Sequence, residues 1–246
     1  MRMLVLAMSH IESGAATHVG RRTNNEDSHR VEPGRGFFAV ADGLGGHEGG
    51  EVASQLALEA MVAFLSSAEE LEGEEGKNPL LAAVAQAHAM VRSQQKGKLY
   101  QMATTVAAIL LQGLVAEVCN LGDSRIFLLR GGELRQLTQD HTVLAEMIAT
   151  GMDVSSPFCA IHRHSLTGAV GMEATVEAHC NRVLLQPGDV LLLCSDGLYE
   201  PVKPDRVVEL LQAEGTAQAL AERLVEEAYT RGGTDNITAV VVRVRP

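Results

Sequence analysis

Apolar residues recur along this chain with two different periods. The stretch 51–66 lacks Pro and Gly and is rich in Ala and Leu, which predicts a helix. Leu80, Val84, Ala87 and Val91 then follow at i, i+4, i+7 and i+11, one apolar stripe of a second helix. Between them lies Glu69-Glu70-Leu71-Glu72-Gly73-Glu74-Glu75-Gly76, a single-sign block that reads as a solvated loop. Beyond the second helix the apolar runs shorten. Segments 104–111, 115–121, 125–129 and 133–137 are rich in Val, Ile and Leu. Their connections (Gln112-Gly113, Gly122-Asp123, Gly131-Gly132) are too short for parallel crossovers and predict antiparallel hairpins. Segment 37–41 is a further apolar run, and a strand is expected at 190–194 after Pro187-Gly188-Asp189. Helical patterns return at 204–213 and 217–230, and a strand over 237–244 closes the chain. Residues 1–8 read as a first strand, because His10, Glu12 and Ser13 follow too soon for a signal peptide. Strands bunched between separate helix pairs predict an α+β sandwich, with helices covering antiparallel sheets. No linker composition interrupts the pattern, so a single domain over 1–246 is expected. Residues 151–171 keep no sustained period, which suggests a functional loop.

Charge narrows the partners. The chain of 246 residues carries 20 Lys+Arg against 31 Asp+Glu, a net charge of −11. Phosphate backbones are held by clustered cations, so a nucleic-acid partner is not expected. With no Trp and 3% aromatics, base-stacking surfaces are equally out of place. No apolar segment reaches the roughly 18 residues of a membrane helix, so no membrane association is expected. Cys119, Cys159, Cys180 and Cys194 show no CxxC spacing and read as small reduced hydrophobes, with a cytoplasmic location as the default. Nothing calls for a second copy, and a monomer is expected.

Four aspartates share a setting. Asp42 follows the run 37–41, Asp123 follows 118–122, Asp196 follows 190–195, and Asp235 precedes the last strand. Asp-Gly after a strand is ordinary turn chemistry, and that reading stays open for each site alone. If the four converge, repulsion raises their pKa values unless cations neutralise them. All-oxygen ligation suits hard ions, Mg²⁺ or Mn²⁺, better than zinc. Paired ions of this kind activate water and clamp phosphate oxygens for in-line attack. Arg21 and Arg22 are candidate phosphate-binding cations. Cys159, His162 and His164 suggest zinc, but no fourth ligand is in reach by spacing.

Five motifs stand in order: Gly20-Arg21-Arg22-Thr23-Asn24-Asn25-Glu26-Asp27, Ala41-Asp42-Gly43-Leu44-Gly45-Gly46-His47, Asn120-Leu121-Gly122-Asp123-Ser124-Arg125, Cys194-Ser195-Asp196-Gly197-Leu198 and Gly233-Thr234-Asp235-Asn236-Ile237-Thr238. Together they resemble the metal-dependent protein phosphatase (PPM) family, the type-2C serine/threonine phosphatases, in its bacterial form. The resemblance implies a four-layer α-β-β-α sandwich with a metal cleft at one edge of the sheets. It implies hydrolysis of phosphoserine and phosphothreonine in the protein substrates of a serine/threonine kinase, by direct attack of a hydroxide bridging two Mn²⁺ or Mg²⁺ ions. In that likeness Asp42 bridges both ions, the Gly43 carbonyl binds one, and Asp196 and Asp235 complete the second. Asp123 with Asp196 holds a third, weaker ion. Glu26 and Asp27 orient metal-bound water, Asn236 supports Asp235, and Arg22 binds the phosphate. Thr138-Gln139-Asp140-His141-Thr142 resembles the segment before a substrate-selecting flap, here 149–167. Leu44 stands where animal members place a general-acid His. His47 matches the bacterial pattern, either as that acid or as a structural histidine. Ala103 and Gly168 replace a common Gly and a frequent Arg, and Gly168 bears on phosphopeptide contacts.

Overall fold

The central strands of this chain are apolar on both faces, and their burial explains why. A computed structural model describes residues 10–44, 49–67, 78–154, 159, 162–172 and 177–245. The described residues begin with β1 (Ile11–His18), β2 (Ser28–Glu32), β3 (Phe37–Ala41) and the short β4 (Gly43–Leu44). Helices α1 (Gly49–Ser67) and α2 (Pro79–Gln94) follow. Next come β5 (Ala103–Thr104), β6 (Val106–Gln112), β7 (Val115–Leu121), β8 (Arg125–Arg130), β9 (Glu133–Gln136) and helix α3 (Val143–Ala149). The remainder is β10 (His179–Leu184), β11 (Val190–Cys194), the one-turn α4 (Asp196–Tyr199), α5 (Pro204–Gln212), α6 (Ala217–Thr230) and β12 (Ile237–Val244).

Two five-stranded sheets form, in orders β1-β12-β11-β8-β9 and β10-β7-β6-β3-β2, and every pairing within them is antiparallel. Strand alternation sorts the side chains into three cores. Phe38, Val40, Ile109 and Val118 meet Ile126, Leu191, Leu193, Val240 and Val242 between the sheets. Phe37, Ala39, Ala41 and Val106 face outward onto Ala57, Leu58 and Met61 of α1 and Leu80, Val84 and Ala87 of α2. Leu192, Ala239 and Val241 pack on Leu210 of α5 and Leu220 and Leu224 of α6. The result is the expected α-β-β-α sandwich. Because helices cover both outer faces, the central strands show continuous apolar runs instead of alternation.

Local chemistry fixes the helix starts. Pro79 opens α2, and the Asn78 side chain accepts from the Leu80 and Leu81 amides. The Thr216 hydroxyl accepts from the Ala219 amide to cap α6. Gly14 on edge strand β1 lets α6 approach, since a Cβ there would lie 2.3 Å from the Gln218 backbone.

Some expectations change. The run 104–111 is broken at Thr105, whose amide turns away to donate to the Asp42 carbonyl, 2.8 Å. Residues 11–18, 28–32 and 179–184, which carry no strong apolar run, form β1, β2 and β10. The reading of all four cysteines as reduced is corrected. Cys119 and Cys180 stand opposite each other in the β7–β10 register, Cα–Cα 4.1 Å, and form a disulfide. Their separation of 61 residues hid a pairing that only strand register creates. The default to a cytoplasmic compartment loses that basis. Cys159 and Cys194 lie outside that disulfide and are buried. Among the described residues no helix is long and apolar enough to cross a membrane. The strand expected over 1–8, the acidic block 69–76 and His47 lie outside the described residues.

Candidate metal centre

Strand ends deliver the acidic residues to one place. Asp42 follows β3, Asp123 follows β7, Asp196 begins α4 just past β11, and Asp235 precedes β12. The two sheets therefore present their carboxylates at a common edge. There Asp42, Asp123, Asp196 and Asp235 line one cleft of about 1340 Å³ with Arg22, Glu26, Gly43, Asn236, His164 and Glu200.

The backbone around Asp42 is held firmly. Its amide donates to the Thr105 hydroxyl at 2.9 Å, and its carbonyl accepts from the Thr104 hydroxyl and the Thr105 amide. Gly43 donates its amide to the Glu26 carbonyl at 3.2 Å. A Cβ at Gly43 would lie 2.1 Å from the Gly50 carbonyl oxygen, so only glycine brings β4 this close to α1. Gly122 has φ +107 and its Cβ would strike the Thr105 side chain, which makes glycine the residue that can turn the chain into Asp123. Tyr199 donates its hydroxyl to the Asp123 carbonyl at 3.1 Å, and Arg125 lies 3.7 Å over the Tyr199 ring.

Asn236 stitches the N-terminal loop to the β12 edge. Its amide group donates to the Val19 and Asn24 carbonyls, and its side-chain oxygen accepts from the Glu26 amide. Its backbone amide donates to Asp235 Oδ1 at 2.8 Å, so its link to Asp235 runs through the main chain. Asp27 Oδ2 accepts from the Ser195 hydroxyl at 2.7 Å, beneath the cleft. Arg22 reaches Asp235 Oδ2 at 2.7 Å.

The electrostatics of this edge are unfavourable for charge. Burial, reinforced by Asp196 and Asp140, pushes the Asp123 carboxyl up to about 7. Burial does the same to Asp27, to about 7, with Asp196 and Asp235 adding to it against the hydrogen bonds from Thr238 and Ser195. Asp196 rises to about 6, from burial and then from Asp235 and Glu200. Asp42 is pushed well above its ordinary value by burial and by Asp27, Asp196, Asp123 and Asp235. Among the described residues, Asp27 Oδ1 and Asp196 Oδ1 are buried without a hydrogen-bond partner. Buried acceptors with open lone pairs and mutual repulsion fit a hard divalent cation, which supplies both charge and coordination.

Arg22, Glu26, Asp27, Asp42, Gly43, Asp123, Asp196, Asp235 and Asn236 are thus brought together. Sequence reasoning missed Thr104 and Thr105, and it missed Glu200, which sits four residues after Asp196. That i, i+4 spacing at a helix start was the available signal for Glu200. It also set His164 aside as part of an incomplete zinc set. In the structure Cys159 is buried, and His164 faces Asp196 and Glu200. The segment expected as a flap is anchored at its base. The Val143 amide donates to the Ser165 carbonyl, and the Thr167 amide donates to the His141 carbonyl.

Comparison with known proteins points the same way. The chain is 38% identical over 234 residues to the serine/threonine protein phosphatase PstP of Mycobacterium tuberculosis, covering 91% of this chain and 43% of that protein. It therefore spans less than half the length of that relative. It is 36% identical over 230 residues to the serine/threonine phosphatase stp of Listeria monocytogenes, covering 90% of each. A solved structure of the PstP catalytic domain in complex with two manganese ions superposes with a TM-score of 0.81 at 36% identity, over 96% of this chain and 99% of that one. Residues 15–229 match the family described as Protein phosphatase 2C. That match covers most of the chain, and with relatives 36–38% identical over about nine-tenths of it, this chain belongs to the Protein phosphatase 2C family.

Proposed function

We propose that this chain hydrolyses phosphoserine and phosphothreonine in proteins phosphorylated by a serine/threonine kinase, using divalent cations held in the carboxylate cleft. The observation that carries the reading is the convergence of Asp42, Asp123, Asp196 and Asp235 on one cleft beside Arg22. The manganese-bound PstP relative supports Mn²⁺ as a resident ion, with Mg²⁺ as its hard-ion equivalent. Asp42, the Gly43 carbonyl, Asp196 and Asp235 would hold two catalytic ions. When bound, such a pair supplies an activated water for direct attack on phosphorus and offsets the charge that builds there.

The protein's own groups do the positioning. Arg22 is 59% exposed and rests on Asp235, so it can turn to a phosphate whose oxygens match its fork. Glu26 and Asp27 sit behind the ligands, and Asp27 is kept in place by Ser195. Thr104 and Thr105 fix the main chain of Asp42, which limits the reorganisation needed when substrate arrives.

The test is phosphate release from a phosphothreonine peptide with Mn²⁺ or Mg²⁺ titrated against EDTA. Metal-dependent release that EDTA abolishes is expected. A folded, Mn²⁺-saturated protein that releases no phosphate from phosphothreonine or phosphoserine peptides would overturn the reading.

A further inference from the structure

One cluster in the cleft is not purely acidic. Ligand atoms of Asp123, His164 and Asp196 all lie within 4.8 Å of one another. Two of these are the strand-tip carboxylates to which the family resemblance gives a third ion. The third is an imidazole from the segment between α3 and β10, far from either strand tip in sequence. His164 Nδ1 lies 3.9 Å from Asp196 Oδ2, too far for a hydrogen bond. Two bonds of about 2.0–2.2 Å from a shared ion would span that gap.

A second observation concerns the other ring nitrogen. His164 Nε2 is 3.3 Å from Glu200 Oε1. A metal-binding histidine characteristically donates its remote N–H to a carboxylate, which fixes the tautomer and aims the free nitrogen at the ion. Glu200 is the C-cap of the one-turn α4, four residues after Asp196 and in helical conformation, which puts the ligand and the orienting carboxylate on the same side. The other oxygen of the same carboxylate, Asp196 Oδ1, is buried without a hydrogen-bond partner among the described residues.

We infer that Asp123, Asp196 and His164 form a mixed oxygen–nitrogen cation site oriented by Glu200, selective for a transition-series divalent ion such as Mn²⁺ over Mg²⁺. The selectivity follows from the imidazole, a donor that Mg²⁺ accepts poorly compared with carboxylate and water. The inference rests on the reading above that this cleft holds divalent cations, and it adds the ligand, the orienting group and the ion preference. Glu200 acts as a positioning residue through His164.

Pulsed electron paramagnetic resonance on the full chain loaded with Mn²⁺ tests it, because nitrogen bound to Mn²⁺ gives a ¹⁴N modulation that carboxylates do not. The modulation is expected in the wild-type chain, in the presence of excess Mg²⁺, and should vanish in His164→Ala and in Asp123→Ala. His164 is 47% exposed, so His164→Ala leaves the packed core intact. Glu200→Ala should retain the modulation but weaken Mn²⁺ binding at that site about 10- to 100-fold. Wild-type protein without the modulation, or a His164→Ala protein that keeps it, would overturn the inference. The arms separate the two readings. Metal-dependent phosphate release without ¹⁴N modulation leaves the phosphatase standing and removes the mixed site. Modulation without phosphate release keeps the site and removes the phosphatase.

Discussion

Buried carboxylates occur in two parts of this molecule and are treated in opposite ways. Along the flanks of the sheets the buried Asp189 and Glu117 and the half-buried Asp140 each have a guanidinium. Asp189, 2% exposed, takes two hydrogen bonds from Arg130, Glu117 pairs with Arg182, and Asp140 takes both ends of Arg125. At the cleft edge Asp42, Asp123 and Asp196 crowd together; among the described residues Arg22 pairs with Asp235, and Lys98 also lines the cleft. Arg125 stands two residues after Asp123 yet is aimed at Asp140. Among the described residues, then, the flank acids are locked in arginine salt bridges, while no Arg or Lys forms one with Asp42, Asp123 or Asp196. A missing positive charge at a fixed, preorganised place is what a bound ion supplies.

Breaking the cleft should produce the largest effect. Asp196→Ala is expected to lower kcat by about 10²–10³-fold or more, the scale of losing a main electrostatic stabiliser of the transition state. Its circular dichroism should match the wild type, because no core contact is lost. Full activity in that folded variant would refute the assignment. Arg22→Ala should act mainly on KM, raising it roughly tenfold, since a hydrogen-bonded ionic contact to phosphate contributes about 1.5–3 kcal/mol before exposure discounts it. Steady-state kinetics on a phosphopeptide separate the two constants, and a collapsed kcat with unchanged KM would contradict this role.

On the paired side the expected effect is on stability instead. Arg130→Ala leaves Asp189 buried with the Gln186 amide as its remaining partner and should cost about 1–3 kcal/mol in denaturant unfolding. The opposite sign is expected in the cleft. Asp123→Asn removes a charge that burial and neighbours oppose, and should stabilise the metal-free protein at pH 8 by about 1 kcal/mol. If both substitutions destabilise, the contrast between the two regions fails.

pH sharpens the contrast further. Asp27 and Asp123 have carboxyls raised from 3.8 to about 7, so between these values the metal-free folded chain holds more protons than the unfolded chain. Stability with more protons on the native state falls as pH rises, so the metal-free melting temperature should decline from about pH 4 to 7. Mn²⁺ should flatten that decline, because the ion replaces the protons. Melting curves with and without metal, taken across this range, check both slopes.

Much of this was legible before the structure. The central strands and both helix pairs announced themselves, because continuous apolar runs and i, i+4 stripes are the direct trace of burial. The four aspartates were visible as strand tips, and the ordered motifs tied them to one family. The edge strands were not legible. β1 and β10 carry residues such as Gly14, Arg182 and Asn181 that reflect neighbours and solvent instead of a core. Pairings that depend on register were equally hidden, among them Cys119 with Cys180. His164 was visible as a residue, but its partners Asp123 and Asp196 are distant in sequence and only the fold brings them near.

The clustered aspartates outnumber the cations that the described residues bring to the cleft, Arg22 and Lys98, and divalent ions are expected to supply the difference. Thermal melting of the wild-type chain at pH 8 with Mn²⁺ titrated in, beside an Asp42→Asn/Asp196→Asn variant, tests this most directly. Mn²⁺ at about 100 times its dissociation constant adds about 2.7 kcal/mol per site. For a chain of this size that raises Tm by roughly 5–10 °C. The expected result is that rise in the wild type and none in the variant. No rise in the wild type, or an equal rise in both, would return these aspartates to ordinary turn residues.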